Sequence, residues 1–181
     1  MHPGNGQLRV IRSPFWQRVD KWSRGATPVG LTLLLLLIGL LPWHLPELGT
    51  IGISLVIISV FYWGLKTPHL MTPWSVLAIG LVSDLLAVTP MGVGTVSLLC
   101  LYGLTRSQAR TLHNMPFFVI WPVFMLFAAI IILLTWLLTA MIDSGFPDLR
   151  PVIFLYLFDI VCYPLLSYVF GHLQRSLLPE K

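Results

Sequence analysis

Charged residues are scarce in this chain: Asp, Glu, Lys and Arg make up 10% of its 181 residues, whereas 56% of the residues are hydrophobic. A soluble domain of this size could not bury so much apolar surface, so the composition excludes an ordinary soluble protein. No segment between the apolar runs is long enough to form a soluble domain. The sequence therefore predicts an all-α integral membrane protein that folds as one helical bundle.

Residues that usually carry chemistry are also few. The two cysteines lie singly in apolar runs, which excludes a disulfide framework and a cysteine-ligated metal site. His44, His69 and His113 are isolated, and no serine or cysteine has a histidine partner nearby in sequence. No phosphate-binding loop is present. We therefore expect a protein that is not an enzyme and that has no metal and no other cofactor.

Uncharged runs separated by short polar or proline-bearing breaks predict six membrane-spanning helices. The predicted spans cover residues 28–45, 49–65, 70–87, 90–105, 116–141 and 151–172. A span needs about 20 residues to cross the hydrocarbon. We therefore expect the fourth span to be short and the fifth to be long and tilted.

The distribution of basic residues predicts the orientation. With six spans, ten of the eleven Lys and Arg residues lie on the side that holds both termini, and only Arg150 lies on the other. Basic residues accumulate on the cytoplasmic side of membrane proteins. The sequence therefore predicts a multi-pass membrane protein with both termini in the cytoplasm.

The segment before the first span can form an amphipathic helix at the membrane surface. Residues 1–27 make up a basic cytoplasmic tail, residues 28–172 the transmembrane domain, and residues 173–181 a second cytoplasmic tail. An interfacial helix in the first tail would place its aromatic and basic side chains among the lipid headgroups. These side chains are Trp16, Arg18, Lys21, Trp22 and Arg24. A basic topology signal without a helix is an equally good interpretation.

Asp84 is the most informative residue, because a carboxylate at membrane depth is costly and needs a partner. It lies near the end of the third span, where the helix dipole also disfavours a negative charge. Thr89 and Pro90 read as the N-cap and the first residue of the fourth span, whose free amides at residues 91–93 lie one tight turn away. We expect Asp84 to bind these amides and fix the hairpin. A substrate, ion or proton site is the alternative.

Asp159 is the second acid within a span, and no span contains a basic residue that could neutralise it. Together, Asp84 and Asp159 could line a polar path for a cation or a proton. Such a path usually needs more polar side chains than the spans supply. Pro164, later in the same helix, should leave one backbone carbonyl free for Ser167 or a neighbouring helix.

The second span ends in Phe61, Tyr62, Trp63 and Lys66. This pattern is typical of an aromatic belt at the membrane interface with a lysine that reaches the headgroups.

Several of these positions together resemble a known family. The residues are Trp63 after Tyr62, then Pro68, then Gly80 four residues before Asp84, and finally Pro90 and Gly92. This pattern, with the layout of the spans, is similar to the bacterial rod shape-determining protein MreD.

The resemblance implies a non-enzymatic inner-membrane scaffold of the cell-elongation machinery, which directs peptidoglycan synthesis and maintains rod shape. Its implied partners are a bitopic MreC-type protein, an MreB-type filament, the wall polymerase and transpeptidase, and the lipid bilayer, with no nucleic acid. The implied fold resembles the substrate-binding subunits of energy-coupling-factor transporters, so a vitamin-type transporter subunit is the alternative. The first span, however, lacks the alanine pattern by which those subunits dock, and its leucine-rich surface suits contact with lipid or another helix.

Overall fold

The computed structural model describes residues 28–39, 51–68, 71–86, 90–142, 145 and 147–177. Within these residues the chain forms six helices and no strands, as the sequence predicts. The helices are α1 (Pro28–Gly39), α2 (Ile51–Lys66), α3 (Pro73–Leu86), α4 (Val93–Leu112), α5 (Phe117–Ile142) and α6 (Leu149–Leu177). The predicted surface residues Trp16, Arg18, Lys21, Trp22 and Arg24 lie outside the described residues.

Within the part of the chain that the structure describes, two helices have the length and composition of a membrane span. They are the 26 residues of α5 and a 25-residue stretch of α6, Leu149–Leu173. Helices α1, α2 and α3 are apolar but shorter. The large hydrophobic side chains on the surface of α5 and α6 suit a protein that contacts lipid. These features indicate a membrane protein.

Helix α4 is longer than the sequence predicts. It has 20 residues and continues through Arg106 and Arg110, which the sequence places in a loop. Arg106 Nη1 donates to the Pro68 carbonyl at 3.0 Å and to the Tyr102 hydroxyl at 2.6 Å. The Tyr102 hydroxyl in turn donates to the Met71 carbonyl at 2.6 Å. Because the α2–α3 connection accepts these bonds, the helix continues past its first charged residue.

Helix α4 lies at the centre of the bundle. It packs against α2, α3 and α5, while α6 packs against α2 and α5. Helix α1 contacts α2, where the hydroxyls of Thr32 and Ser59 are 2.7 Å apart and both residues are buried. Hydrogen bonds between apolar helices add to their association, by about 1 kcal/mol each.

The aromatic residues at the end of α2 form the core of the bundle. The Phe61 ring packs edge-on against Phe124 and Tyr163, at centroid distances of 5.1 and 5.8 Å. Tyr62 and Trp63 pack against Phe170 of α6. All three α2 residues are at most 5% exposed. The predicted aromatic belt is therefore wrong: helices α5 and α6 cover this face of α2, so the rings contact protein.

The proline inside α6 has the compensation that the sequence predicts. Pro164 has no N–H group, so the carbonyl of Ile160, four residues earlier, loses its helical donor. Trp121 of α5 donates its indole N–H to this carbonyl at 3.3 Å. The neighbouring helix thus supplies the donor, and the bond ties α5 to α6.

Candidate functional site: the Asp84 clamp and the α2–α5–α6 cavity

The Asp84 carboxylate binds the beginning of α4. Its Oδ2 accepts hydrogen bonds from the Gly92 and Thr95 backbone amides, each at 3.0 Å, and from the Thr95 hydroxyl at 2.6 Å. Its Oδ1 accepts from the Gly94 amide at 2.9 Å. Asp84 is 3% exposed, so these four bonds replace its contact with water. We call this arrangement the Asp84 clamp.

Local backbone geometry aims the amides at the carboxylate. Gly92 precedes the first residue of α4 and has a φ of +97°, a conformation that residues with a side chain rarely adopt. The turn places the free amides of the helix N-terminus around the anion, where the helix dipole also favours negative charge.

The contact between Asp84 and the start of α4 therefore confirms the sequence prediction, but two details of that prediction are wrong. The helix begins at Val93, so Pro90 lies in the preceding turn. Thr89 lies outside the described residues. Of the predicted donor amides at residues 91–93, only that of Gly92 is confirmed; the other two donors are the amides of Gly94 and Thr95, because the turn at Gly92 moves the helix start by three residues.

Gly80 lets α3 and α4 approach closely enough for the clamp to form. A Cβ atom at Gly80 would lie 2.7 Å from the Thr95 Cα, and one at Gly94 would contact Asp84 Oδ1. Both contacts are too short for a real side chain. Sequence analysis singled out Gly80, Asp84 and Gly92, which the structure brings together. It missed the role of Gly94 and Thr95, although the Gly-x-Gly-Thr sequence at residues 92–95 is a signal for such a turn.

Of the remaining residues of the predicted pattern, Trp63 and Pro68 lie away from the clamp, and Pro90 lies in the turn that leads into it. Trp63 is 1% exposed and its indole N–H has no hydrogen-bond partner. Pro68 follows α2 and accepts the bond from Arg106, at the opposite end of α4 from Asp84. Pro90 is half-buried, and its carbonyl accepts from the Val93 amide at 3.3 Å. These residues belong to turns and to the core.

Asp159, unlike Asp84, has no hydrogen bonds that compensate for the burial of its carboxyl group. It is fully buried on α6, and neither of its carboxyl oxygens has a hydrogen-bond partner. The Ser54 side chain of α2 faces this carboxyl, and its hydroxyl also has no partner at hydrogen-bond distance and angle. An unpaired buried polar group costs about 1–3 kcal/mol. The two predicted acids thus lie in different helix interfaces, Asp84 between α3 and α4 and Asp159 between α6 and α2.

A cavity of about 230 Å³ lies between α2, α5 and α6, next to Ser54. Ile53, Ile57, Ile132, Pro151, Val152 and Leu155 supply its apolar walls. Its polar residues are Ser54, Thr135, Trp136, Thr139 and Asp148. Sequence analysis did not predict this cavity, because its walls come from three helices that are far apart along the chain.

No family model matches the chain, and neither does any curated protein or any solved structure. The residues that the structure describes contain no group of three or more His, Cys, Asp or Glu side chains that could hold a metal ion.

Proposed function

We propose that this protein is a non-enzymatic scaffold of the bacterial cell-elongation machinery, similar to MreD. In this proposal six helices cross the inner membrane, with both termini in the cytoplasm. The bundle binds the single span of an MreC-type partner and positions peptidoglycan synthesis beside an MreB-type filament. The pattern from Trp63 to Gly92 supports this proposal through its resemblance to that family.

The observation that carries the proposal is the Asp84 clamp. An enzyme or ion carrier that used Asp84 would need this acid free to meet a substrate. Asp84 instead accepts four hydrogen bonds from its own chain, three of them from backbone amides. A carboxylate held in this way stabilises a helical hairpin, which favours a protein that acts through its shape.

The surface of α5 and α6 also supports a role in assembly. Exposed apolar side chains recur at helical spacing on α5, at Leu126, Ile130, Leu133 and Leu137, and continue to Met141. A similar stripe on α6 runs along Leu157, Val161, Leu165 and Tyr168. Stripes of this kind can pack against lipid or against a partner helix.

Depletion of the protein tests the proposed function directly. We expect rod-shaped cells that lose it to become round, because wall synthesis would no longer be directed along the cell length. Purification in mild detergent should recover a single-span partner of the MreC type. Unchanged cell shape together with recovery of an ATPase module would instead support the transporter alternative.

The proposed orientation predicts which residues can be labelled from outside the cell. In a variant without Cys100 and Cys162, we expect a cysteine in place of Gln108 to be protected from an impermeant maleimide in intact cells. A cysteine in place of Ser144 should be labelled, because that loop is the one opposite the basic residues. Opening the inner membrane should make the first site reactive. Labelling of the Gln108 site in intact cells would contradict the six-span arrangement.

One observation favours the alternative, a subunit that binds a small solute. The cavity beside Ser54 has room for a small organic molecule, since an apolar cavity of about 150 Å³ already holds benzene. The two functions predict different results in cells: loss of a scaffold changes cell shape, whereas loss of a transporter subunit changes solute uptake.

A further inference from the structure

We propose that the cavity between α2, α5 and α6 binds a small apolar amine in its protonated form, with the ammonium group at Ser54 and Asp159. This site is separate from the Asp84 clamp and does not depend on the proposed scaffold function. Three features support this site: the unpaired polar groups at Ser54 and Asp159, the charges around the cavity and its apolar walls.

Ser54 is the polar group in the lining that lacks a partner. The Thr135 and Thr139 hydroxyls bond to backbone carbonyls one turn earlier, and the Trp136 indole donates to the Pro147 carbonyl. Ser54 is 1% exposed, and its hydroxyl has no hydrogen-bond partner. Since buried polar groups in folded proteins are nearly always paired, this hydroxyl points to a ligand.

Asp159 lies beside Ser54, one helical turn beyond Leu155 of the cavity wall. Both of its carboxyl oxygens are buried without a partner. A ligand with several N–H donors could satisfy Ser54 and Asp159 together, and a protonated primary amine has three such donors.

The charges around the cavity favour a cation. Asp148 is an exposed residue of the lining, and Asp159 lies next to Ser54 without being part of the lining itself. Among the described residues that line the cavity, none is basic. A negatively charged ligand would therefore lie near two acids, Asp148 in the lining and Asp159 next to it, with no counter-charge. An ammonium group at Ser54 could instead form a charge-assisted hydrogen bond with Asp159.

The walls require the rest of the ligand to be apolar. Isoleucine, leucine, valine and proline side chains surround the space, and the Trp136 ring lies along it. A phenyl ring on a short alkyl chain matches both the size and the apolar character of the cavity. 4-Phenylbutylamine combines this body with a primary amine and therefore serves as the probe.

Equilibrium dialysis of labelled 4-phenylbutylamine against the purified protein in detergent micelles tests the proposal, with empty micelles as the blank. We expect saturable binding of one molecule per chain. 4-Phenyl-1-butanol should bind at least about tenfold more weakly, because it cannot form the charge-assisted bond. 4-Phenylbutyrate should not bind. This comparison uses the unaltered protein, so it does not depend on whether a variant folds.

Amine binding by variants of the protein then tests whether the ligand occupies this cavity. Asp159→Asn should weaken amine binding by about tenfold and remove the preference for amine over alcohol. Ser54→Ala should weaken it as well, whereas Ser75→Ala, at the exposed start of α3, should not. Val152→Phe should block the cavity, and Leu133→Phe, on the exposed side of α5, is its matched control.

Three results would overturn the proposal: no saturable binding of the amine, equal binding of the alcohol, or full binding by the Val152→Phe variant. Equal binding of the alcohol would mean that the cavity takes an apolar group, such as a lipid chain, without regard to charge. Cell shape after depletion is a separate measurement, so failure of amine binding can be told apart from failure of the scaffold proposal.

Discussion

Replacement of Asp84 with leucine should leave little folded protein. The change removes the acceptor of four hydrogen bonds, from the amides of Gly92, Gly94 and Thr95 and from the Thr95 hydroxyl. Each buried donor left without an acceptor costs about 1–3 kcal/mol. The total is comparable to the stability of a typical domain, about 5–15 kcal/mol.

Asp84→Asn should destabilise the protein clearly less than Asp84→Leu. An asparagine oxygen at the position of Oδ2 could keep the bonds from Gly92 and Thr95. Its NH₂ group would then face the Gly94 amide, so that one donor would oppose another. We therefore expect a loss of about 1–3 kcal/mol, the cost of one unpaired group.

The measurement is the midpoint of thermal unfolding in detergent, together with the yield of monodisperse protein. Asp148→Leu is the matched control, because Asp148 is exposed and its carboxylate accepts a single 3.3 Å bond from the Arg150 amide. Its loss should change stability by no more than about 0.5 kcal/mol. Equal damage from Asp84→Asn and Asp84→Leu would show that the charge itself matters, which would favour an ion path. A stable Asp84→Leu protein would contradict the clamp.

The clamp could be predicted from sequence because its parts are close along the chain. Asp84 and the start of α4 are joined by a short turn, and a carboxylate needs a local donor at this depth. The Gly92 amide could be predicted as a donor, but the choice of Gly94 and Thr95 as the other donors could not be predicted. It depends on Gly92 adopting a positive φ, and either a helix that starts at Pro90 or one that starts at Val93 fits the sequence.

The helices themselves could be predicted because prolines and polar residues interrupt long apolar runs. The end of α4 could not be predicted. It depends on hydrogen bonds from the Tyr102 and Arg106 side chains to the Met71 and Pro68 carbonyls in the α2–α3 connection. A basic residue at the end of an apolar run is usually a sign that a span has ended. Here the side chain of that residue, Arg106, is hydrogen-bonded to the α2–α3 connection, and the helix continues.

The burial of the aromatic residues of α2 could not be predicted either. Nearly every residue of α2 is apolar, and all from Val56 to Leu65 are buried, so no periodic pattern marks the positions that pack on α5 and α6. The same uniformity concealed which residue faces Asp159. Ser54 is far from it in sequence, and the contact exists only because α2 packs against α6.

Gly80→Ala should have the second large effect, because it adds one methyl group where two helices are closest. The new Cβ would lie 2.7 Å from the Thr95 Cα, which is a backbone atom that cannot rotate away. Overpacking of this kind typically costs about 1–3 kcal/mol. Gly103→Ala is the matched control: it makes the same change within α4, where no atom lies within 4 Å of the new methyl group. Alanine is a better helix former than glycine, so the control should be neutral or more stable by up to about 1 kcal/mol.

The two predictions are coupled, and the coupling provides the stricter test. If Gly80→Ala pushes α4 away from α3, it also lengthens the bonds from Thr95 to Asp84, so part of the clamp is already lost. The double variant Gly80→Ala with Asp84→Asn should then be more stable than the sum of the single effects predicts, by at least about 0.5 kcal/mol. Gly103→Ala combined with Asp84→Asn should be additive. Additive losses in both pairs would mean that Gly80 only relieves a steric contact and that the close approach of α3 and α4 does not hold the clamp together.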